Sequence, residues 1–581
     1  MCGIWALIKS NPLLTQKLVE SFNKIKKRGP DSSTLHVDRN YIAGFHRLAI
    51  NDLSVSGNQP FFGTCPDYNY ILMANGEIYN HRELETKYDI KINSSSDCAV
   101  LLPLFIKLKE DFDKFNNELR GEYAIVIFKQ HKKTDQIDYF VSTDALSVRP
   151  MFYYIDNIDN IDNIDNIDNI DNIDNIDTNI EIGFASLLGG LSELSDNVQR
   201  LDQGSMIIGS ANTKSMSNDY TISKYHIKPS NIINIYRDVP DIYTLYELTV
   251  NTLTDAIILR LESDRPIGCL LSGGLDSSLI AAIAAKELAK RGQVLRTFSI
   301  GMEDGTDIKY AQMVADHIGS DHTVFYFTQE EGLEAIEEVI KATETYDITT
   351  IRASVGQYLI AKNIAEKTDI KVILNGDGAD ECQMGYLYFY LHPDLEAART
   401  ERDKLVEQIH LFDGLRVDRN ISYHGLEARV PFLDKEFVDL FYQLPTELLV
   451  PTEQQMEKHF IRKAFDVMLP ELLPSEVLWR KKEAFSDGVS SKDKSWYLIV
   501  KDFYNQLVSD DEFETRNSLS HIIPHCKESF YYRKRFNELY GQNHMVIPRY
   551  WLANWTDSKD PSARTLKIYS NTNKTDVKIN C

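Results

Sequence analysis

The fold of the larger part of this chain is decided by the stretch Pro266-Ile267-Gly268-Cys269-Leu270-Leu271-Ser272-Gly273-Gly274-Leu275-Asp276-Ser277-Ser278. Its apolar first half, as far as Leu271, is typical of a short buried strand, and the Ala-rich run from Leu279 to Lys290 predicts a helix. The glycines and hydroxyls between them therefore lie at a strand-to-helix turn. Backbone N–H groups at a helix start lack helical partners and favour anions, and glycine lets the backbone approach an anion closely. The turn predicts a phosphate site, and Asp276 is explained if Mg²⁺ lies between its carboxylate and the phosphates. The alternative is a glycine-rich helix start with a serine N-cap and no ligand.

Further strands and helices alternate on both sides of this turn. The apolar patterns predict helices over 245–261 and 307–318, and strands over 295–301, 323–327 and 371–374. Such alternation predicts an α/β domain with a mostly parallel sheet and a ligand at the carboxyl ends of its strands. The last of these strands runs into Asn375-Gly376-Asp377-Gly378-Ala379-Asp380-Glu381, which predicts a second Mg²⁺ ligand. An acidic turn without a metal is the alternative.

Length and composition exclude several classes of protein. A chain of 581 residues is too long for one ordinary domain, so we expect two or three. The formal net charge of −23 argues against sequence-independent nucleic-acid binding, which needs a basic face. No apolar run approaches the ~20 residues that span a bilayer, so we expect no membrane partner. The seven cysteines show no paired spacing, which favours a reducing, cytoplasmic location.

Cys2 is the second residue that needs an explanation. If Met1 is removed, Cys2 carries both a thiol and a free α-amine, whose ordinary pKa values are ~8.5 and ~7.7–8. One residue then holds a nucleophile and a general base. The alternative is a small apolar residue that opens a buried strand.

Several short motifs follow Cys2 in a fixed order. They are Met1-Cys2-Gly3-Ile4, Arg28-Gly29-Pro30-Asp31, His46-Arg47-Leu48, Asn75-Gly76-Glu77-Ile78-Tyr79-Asn80 and Ser96-Asp97. The ordered set resembles the class II glutamine amidotransferases, which use an N-terminal nucleophile. The resemblance implies an α+β glutaminase domain with sandwiched antiparallel sheets.

The same resemblance implies roles for these residues. Cys2 attacks the glutamine amide, and Asn75 with the Gly76 N–H forms the oxyanion hole, where one donor is worth ~100-fold or more in rate. A bidentate fork from Arg47 suits the glutamine carboxylate, and Glu77 with Asp97 suits the ammonium. The implied glutamine-binding set is Arg47, Leu48, Ala49, Ile50, Asn51, Asn75, Gly76, Glu77 and Asp97.

Composition places the domain boundaries. We predict a glutaminase domain over 1–210, a polar linker over 211–224 and a synthetase domain over 225–581. An Ile-Asp-Asn repeat occupies 155–177, and its period of three matches neither strand nor helix, which favours a surface loop without fixed structure over a stacked solenoid. In the segment from Asp144 to Pro150, Ser147 stands where the amidotransferases usually have glycine.

The second half of the chain is similar to the glutamine-hydrolysing asparagine synthetases. The stretches that carry this similarity are 344–354, 385–389, 427–434, Met456-Glu457-Lys458-His459, 479–483, 485–488 and 560–566. The turn at Ser272 contains no Gly-Lys pair, so it is not a Walker loop; it resembles the loop of enzymes that cleave ATP to AMP and pyrophosphate. The similarity implies glutamine, aspartate and ATP as substrates. It is also compatible with a homodimer.

Site residues of the synthetase half are likewise implied by the similarity. ATP would be bound by Leu271, Ser272, Gly273, Gly274, Asp276, Ser277, Ile300, Asn375 and Gly376. Asp276 and Asp380 would hold Mg²⁺, Lys482 would neutralise charge in the transition state, and Arg352 would bind the aspartate carboxylate. Asp377 is the implied catalytic carboxylate.

Asp377 marks a departure, because the family pattern has glutamate there. The shorter side chain is displaced by one methylene, and a misplacement of 1 Å can cost ~100-fold in rate. The sequence therefore leaves three alternatives open: a relative that acts on another carboxylate, a protein with one impaired half-reaction, and a tRNA thiolase or another adenylating enzyme. A tRNA enzyme needs a basic RNA-facing module, which the net charge does not favour.

Overall fold

The computed structural model describes residues 1–156, 181–229, 241–303, 305–482 and 495–557. The chain divides into two compact units, one of Met1–Ile227 with Tyr540–Val546 and one of Lys228–Leu539 with Ile547–Cys581. From residue 157 onward, the predicted loop of the Ile-Asp-Asn repeat lies outside the described residues. So do the stretches 485–488 and 560–566.

The first unit contains two six-stranded sheets in which all strand pairs are antiparallel. The first sheet has the order β10-β8-β9-β1-β3-β2 and consists of β1 (Gly3–Lys9), β2 (Ser32–Val37), β3 (Tyr41–Arg47), β8 (Phe152–Asp156), β9 (Glu181–Ala185) and β10 (Gln199–Arg200). The second has the order β12-β11-β7-β6-β5-β4 and consists of β4 (Phe61–Thr64), β5 (Tyr68–Ile78), β6 (Gly121–His131), β7 (Gln136–Thr143), β11 (Ser205–Asn212) and β12 (Ser217–Lys224).

The alternation of side chains along the strands explains how these sheets pack. In β1, Ile4, Ala6 and Ile8 enter a core that they share with Met73 of β5 and Val126 of β6. Among its described residues, this unit has the helices α1 (Gln16–Asn23), α2 (His81–Lys87), α3 (Leu101–Lys107) and α4 (Phe112–Glu118). A second core packs the opposite face of β5 and β6 against α2, α3 and α4. This arrangement confirms the predicted sandwich of antiparallel sheets.

The segment predicted as a linker, 211–224, has a different structure. Its second half is β12, which pairs with β11 over eight residues from Ser205↔Lys224 to Asn212↔Ser217. Most β12 side chains are exposed, because β12 is the edge of the sheet. An edge strand with one solvated face is polar, and the polar composition therefore resembled that of a linker.

The second unit is built on a five-stranded parallel sheet of order β15-β14-β13-β16-β17. Its strands are β13 (Ile267–Leu270), β14 (Arg296–Gly301), β15 (Asp321–Tyr326), β16 (Val372–Leu374) and β17 (Glu427–Arg429). The helices of this unit are α5 (Ile242–Leu259), α6 (Leu275–Lys290), α7 (Asp307–Ile318), α8 (Gln329–Thr343), α9 (Ile348–Lys367), α10 (Ala379–Cys382), α11 (Leu395–Glu407), α12 (Asp413–Ser422), α13 (Lys435–Gln443), α14 (Thr446–Leu449), α15 (His459–Met468), α16 (Ser475–Leu478), α17 (Trp496–Leu507), α18 (Asp510–Glu514) and α19 (Lys527–Tyr540). The predicted parallel α/β domain is confirmed.

The described residues of both units also bear on membrane spans and on disulfides. Among the described helices, none combines the length and the apolar character that a membrane crossing requires. The six cysteines within the described residues are all free thiols.

Candidate active site

In the first unit, Cys2 lies at the start of β1 beside the side chain of Asn75 on β5. The Cys2 backbone N–H donates to Asn75 Oδ1 at 2.8 Å, and the thiol donates to the Leu48 carbonyl at 3.6 Å. Asn75 is fully buried, and its Nδ2 has no hydrogen-bond partner in the described part of the chain. A buried donor without a partner is costly, so one placed next to a thiol is suited to an oxyanion that appears during reaction.

Gly76 follows Asn75 and takes a backbone conformation that disfavours any side chain. Its φ is +143°, and a Cβ would lie 1.9 Å from the Glu122 carbonyl oxygen across the β5–β6 ladder. Glycine is therefore required at this position for close backbone approach. The structure brings both predicted oxyanion-hole residues into one short segment next to Cys2.

Arg47 ends β3, and the loop that follows it wraps around its guanidinium. Nη1 donates to the Ser54 carbonyl at 2.8 Å and to Asn58 Oδ1 at 2.7 Å, and Nη2 donates to the carbonyls of Asn51 and Asp52. All four Nη hydrogens thus have acceptors in the loop over 48–58, and a glutamine carboxylate at Arg47 would have to use Nε or replace some of these contacts. In this loop, Leu48 and Ile50 are buried.

Asn51 joins this loop to the two predicted ammonium acceptors. Its Nδ2 donates to Glu77 Oε2 at 2.6 Å and to Asp97 Oδ1 at 3.4 Å. The other oxygen of Asp97 accepts from the Ile78 N–H at 2.7 Å, and both acids are buried. The Ala49 N–H donates to Asp31 Oδ2 at 2.9 Å, which connects the loop to the Arg-Gly-Pro-Asp turn. The predicted glutamine-binding residues thus form one connected network.

In the second unit, the turn between β13 and α6 has the predicted strand–turn–helix form. Gly273 has φ +74°, and a Cβ there would lie 2.4 Å from the Ala311 backbone nitrogen of α7. Ser272 Oγ is 3.0 Å from Ser277 Oγ and accepts from the Gly274 N–H at 3.3 Å. No side chain caps α6 at Gly274, so the alternative of a serine N-cap is not what this turn contains. The helix begins at Leu275, which places Asp276 in its first turn.

The turn opens on a cavity of about 300 Å³ at the carboxyl ends of the parallel strands. Its wall includes every predicted ATP, metal and aspartate residue except Gly273, together with Asp377 and Lys482. Residues of β13 and β14 and the loop that follows β16 therefore meet here, as expected for a doubly wound sheet.

Two carboxylates and two lysines form a charged cluster on this wall. Lys458 Nζ lies 2.5 Å from Asp276 Oδ2 and 2.5 Å from Asp380 Oδ1, and Lys482 Nζ donates to Asp380 Oδ2. Burial raises the pKa of Asp380, but the two lysine charges outweigh it and hold that pKa well below its ordinary value. Asp276 Oδ1 is buried and has no hydrogen-bond partner within the described residues. This oxygen fits a cation, and Mg²⁺ ordinarily takes one or two protein carboxylates plus phosphate oxygens.

Arg352 reaches the cavity wall from α9, but its guanidinium already has a carboxylate partner. Nε and Nη2 donate to the two oxygens of Glu528 at 2.8 and 2.6 Å, and both side chains are buried. Glu528 also accepts from the Tyr532 hydroxyl at 3.1 Å. Any carboxylate bound by Arg352 therefore shares the guanidinium with Glu528.

Sequence reasoning missed Asp52, Glu528 and the role of Lys458. Asp52 accepts from the hydroxyls of Ser54 and Ser94, and these contacts hold its pKa below its ordinary value despite burial. It thereby fixes the loop that surrounds Arg47. The stretch Met456-Glu457-Lys458-His459 was a detectable signal for Lys458, but nothing local in the sequence indicates its carboxylate partners.

The comparisons with known proteins agree with both halves. The glutamine amidotransferase domain model matches residues 1–216, and the asparagine synthase model matches 249–409 and 404–558. Two proteins named asparagine synthetase [glutamine-hydrolyzing] are similar over nearly the whole chain. The one from Rattus norvegicus is 38% identical over 592 residues, 99% of this chain and 100% of its own. The one from Homo sapiens is 37% identical over 587 residues, 98% of this chain and 99% of its own. The chain belongs to the asparagine synthase family and carries an N-terminal glutamine amidotransferase domain.

Proposed function

We propose that this chain makes asparagine from aspartate, with glutamine as the nitrogen donor and ATP as the activating substrate. The observation that carries the proposal is the cavity at the carboxyl ends of the parallel strands, which gathers the phosphate turn, the lysine–carboxylate cluster and Arg352. Support also comes from relatives of the same length that are named for this reaction. The products are asparagine, glutamate, AMP and pyrophosphate.

In the glutaminase half, the Cys2 thiolate attacks the side-chain amide carbon of glutamine. The α-amine of Cys2, free once Met1 is removed, takes the thiol proton, and Asn75 Oδ1 accepts from this nitrogen and orients it. Asn75 Nδ2 and the Gly76 N–H donate to the oxyanion. Arg47 holds the glutamine carboxylate, and Glu77 with Asp97 receives the ammonium. The α-ammonium of Cys2 passes the thiol proton to the leaving nitrogen, ammonia departs, and water then hydrolyses the thioester to release glutamate and restore the thiol.

In the synthetase half, the β-carboxylate of aspartate attacks the α-phosphorus of ATP and pyrophosphate leaves. The N–H groups at the start of α6 face the phosphates, with Ser272 and Ser277 beside them. Lys482 neutralises charge that develops on the leaving group. Asp276 and Asp380 would hold Mg²⁺, which when bound screens the phosphate charge. Ammonia then attacks the β-aspartyl adenylate to give asparagine and AMP.

The remaining assignments follow from the same chemistry. Leu271, Ile300, Asn375 and Gly376 surround the adenosine, and Arg352 binds the aspartate carboxylate. We further propose a cytoplasmic location, consistent with six free thiols, and a homodimer in solution. An adenylating enzyme for a different carboxylate is the competing function, because Glu528 already occupies part of the Arg352 fork.

The test measures glutamate, asparagine and AMP separately, with glutamine or ammonium as the nitrogen source. We expect Cys2→Ala to lose all glutamine-dependent product and to keep ammonium-dependent asparagine. Cys98→Ala is the matched control, because Cys98 is a buried thiol whose Sγ donates to the Gly76 carbonyl at 3.5 Å. That variant should keep both activities. Glutamine use by Cys2→Ala would refute the nucleophile, and AMP formed with other acids but not with aspartate would refute the substrate.

A further inference from the structure

The carboxylate of Asp377 is held at both oxygens by side chains from two different helices. Oδ1 accepts from Arg416 Nη2 on α12, and Oδ2 accepts from Gln357 Nε2 on α9 at 2.8 Å. The Asp377 backbone N–H donates to Asn375 Oδ1 at 3.0 Å. Asp377, Arg416 and Gln357 all line the cavity of the second unit. The protein itself therefore fixes this carboxylate at the cavity wall.

Arg416 is anchored in turn by its own helix. Its Nη2 lies 2.8 Å from Asp413 Oδ1, and its backbone carbonyl accepts from Asn420 Nδ2 at 2.8 Å. The Arg416 side chain is only 16% exposed, so little solvent screens its charge from Asp377. A hydrogen bond from a guanidinium to a carboxylate is among the stronger hydrogen bonds in proteins. It fixes the orientation of the carboxylate as well as its distance from the arginine.

We propose that Arg416 is the positioning residue for Asp377 in the attack of ammonia on the acyl-adenylate, with Gln357 as its second support. The inference rests on the proposed function of the synthetase half. It assigns to Arg416 a role separate from ATP and aspartate binding, because its partners are Asp377 and Asp413 and not the phosphate turn.

The step balances as follows. The ammonia nitrogen attacks the β-carbonyl carbon of the adenylate, the C–O bond to the phosphate breaks, and its electron pair leaves with AMP. One N–H proton passes to the free lone pairs of the Asp377 carboxylate and then to water. Asp377 accepts it only when ionised and correctly aimed, and Arg416 provides for both.

The electrostatics around Asp377 give the proposal a measurable signature. Burial raises the pKa of the Asp377 carboxyl, Arg416 opposes this, Asp413 adds to it, and the Gln357 amide lowers it. Arg416 is the cation that faces this carboxyl from α12, with the anion of Asp413 beside it. Removing the cation therefore raises the pKa further, and the acid limb of the reaction moves to higher pH.

The experiment uses the full-length protein with two assays. Aspartate-dependent exchange of pyrophosphate into ATP reports adenylation, and asparagine formed from ammonium, expressed per free ammonia across a pH series, reports the second step. For Arg416→Gln we expect unchanged exchange, a loss of ~100-fold in asparagine formation, and an acid limb displaced to higher pH. Arg416→Lys should return the acid limb to its wild-type pH but recover only part of the rate, because a lysine ammonium cannot reproduce the planar pair of guanidinium donors. Gln357→Leu should lose rate with a smaller displacement.

Arg419→Lys is the matched control, since Arg419 is a buried arginine on the same helix that contacts Glu344 and Asp418. It should leave the pH profile in place. A parallel fall of exchange and asparagine formation in Arg416→Gln and Gln357→Leu, with the acid limb unmoved in both, would overturn the positioning role. Failure of the wild-type protein to exchange pyrophosphate with aspartate would instead refute the proposed function. If Arg416→Gln does not fold, Gln357→Leu decides: its acid limb should move to higher pH, and an unmoved limb with a parallel loss of exchange would overturn the positioning role.

Discussion

Replacing Ser147 by glycine is expected to stabilise the first unit without changing its activity. Ser147 has φ +50° in the segment between β7 and β8, and its N–H donates to the Asp144 carbonyl at 3.0 Å. The left-handed conformation costs an L-residue about 1–2 kcal/mol, and glycine avoids this cost. The backbone at Ser147 therefore has a conformation that suits glycine, the residue that the resemblance to the amidotransferases implies here, and the serine is strained.

The side chain of Ser147 adds a second cost. It is 4% exposed, and its Oγ has no hydrogen-bond partner among the residues that the structure describes. A buried hydroxyl without a partner costs about 1–3 kcal/mol. Glycine also gains freedom in the unfolded chain, which reduces the benefit by about 0.4–1 kcal/mol. Together these contributions give a net stabilisation of about 1–4.6 kcal/mol for Ser147→Gly, and a smaller one for Ser147→Ala, which removes only the hydroxyl.

Hydrogen exchange followed by mass spectrometry is the suitable assay, because a chain of two units does not unfold in one step. The Tyr123 N–H donates to Asp144 Oδ2, so peptides from β6 report this region. Exchange should slow about tenfold for each 1.4 kcal/mol gained. Met216→Gly is the control, because Met216 has φ +55° on an exposed turn. It therefore carries the cost of the left-handed backbone conformation without a buried side chain. Equal protection in Ser147→Ala and Ser147→Gly would refute the backbone argument.

Three further predictions concern the two sites. Asn75→Ala should lower glutamate release ~100- to 1,000-fold and leave ammonium-dependent asparagine formation unchanged, because it removes an oxyanion donor; equal losses in both assays would contradict this. Asp52→Asn should raise KM for glutamine at neutral pH. The pKa of Asp52 is depressed by folding, so its stabilising effect is fully present above the ordinary carboxyl pKa and is lost only as pH falls through the depressed pKa; the difference in KM should therefore persist from neutral to mildly acidic pH. Lys458→Met should abolish pyrophosphate exchange, because Asp276 and Asp380 lose the cation between them, whereas glutaminase activity should persist.

Local patterns in the sequence predicted much of the fold. The helix predicted over 307–318 has those bounds in the structure, and the strand before the phosphate turn differs by one residue at each end. Apolar periodicity and the strand–turn–helix sequence are local properties and can be read directly. The strand Glu427–Arg429 was not predicted, because two of its three residues are charged and it lacks the apolar run that marks Val372–Leu374. Strand β12 was mistaken for a linker because its side chains face solvent.

The residues of the candidate sites also differ in how far the sequence alone could place them. Residues next to a turn or a strand end, such as Asp276 and Asn375, could be placed from the sequence because the sheet order brings strand ends together. The partner of Arg352 could not, since Glu528 lies 176 residues further along the chain on α19. The pairing of Lys458 with Asp276 spans 182 residues and depends on a lysine with φ +59° before α15. Such contacts follow from tertiary packing, which one sequence does not reveal.

The arrangement of Lys458 has a consequence for the order in which ligands arrive. Two aspartates and two lysines sum to zero formal charge, so this wall offers a bare divalent ion little electrostatic attraction. A nucleotide brings its own negative charge and shifts that balance in favour of the metal. On the proposed function, we therefore expect the ion to enter together with its triphosphate; without them, the Lys458 ammonium serves as the counter-ion of the two aspartates.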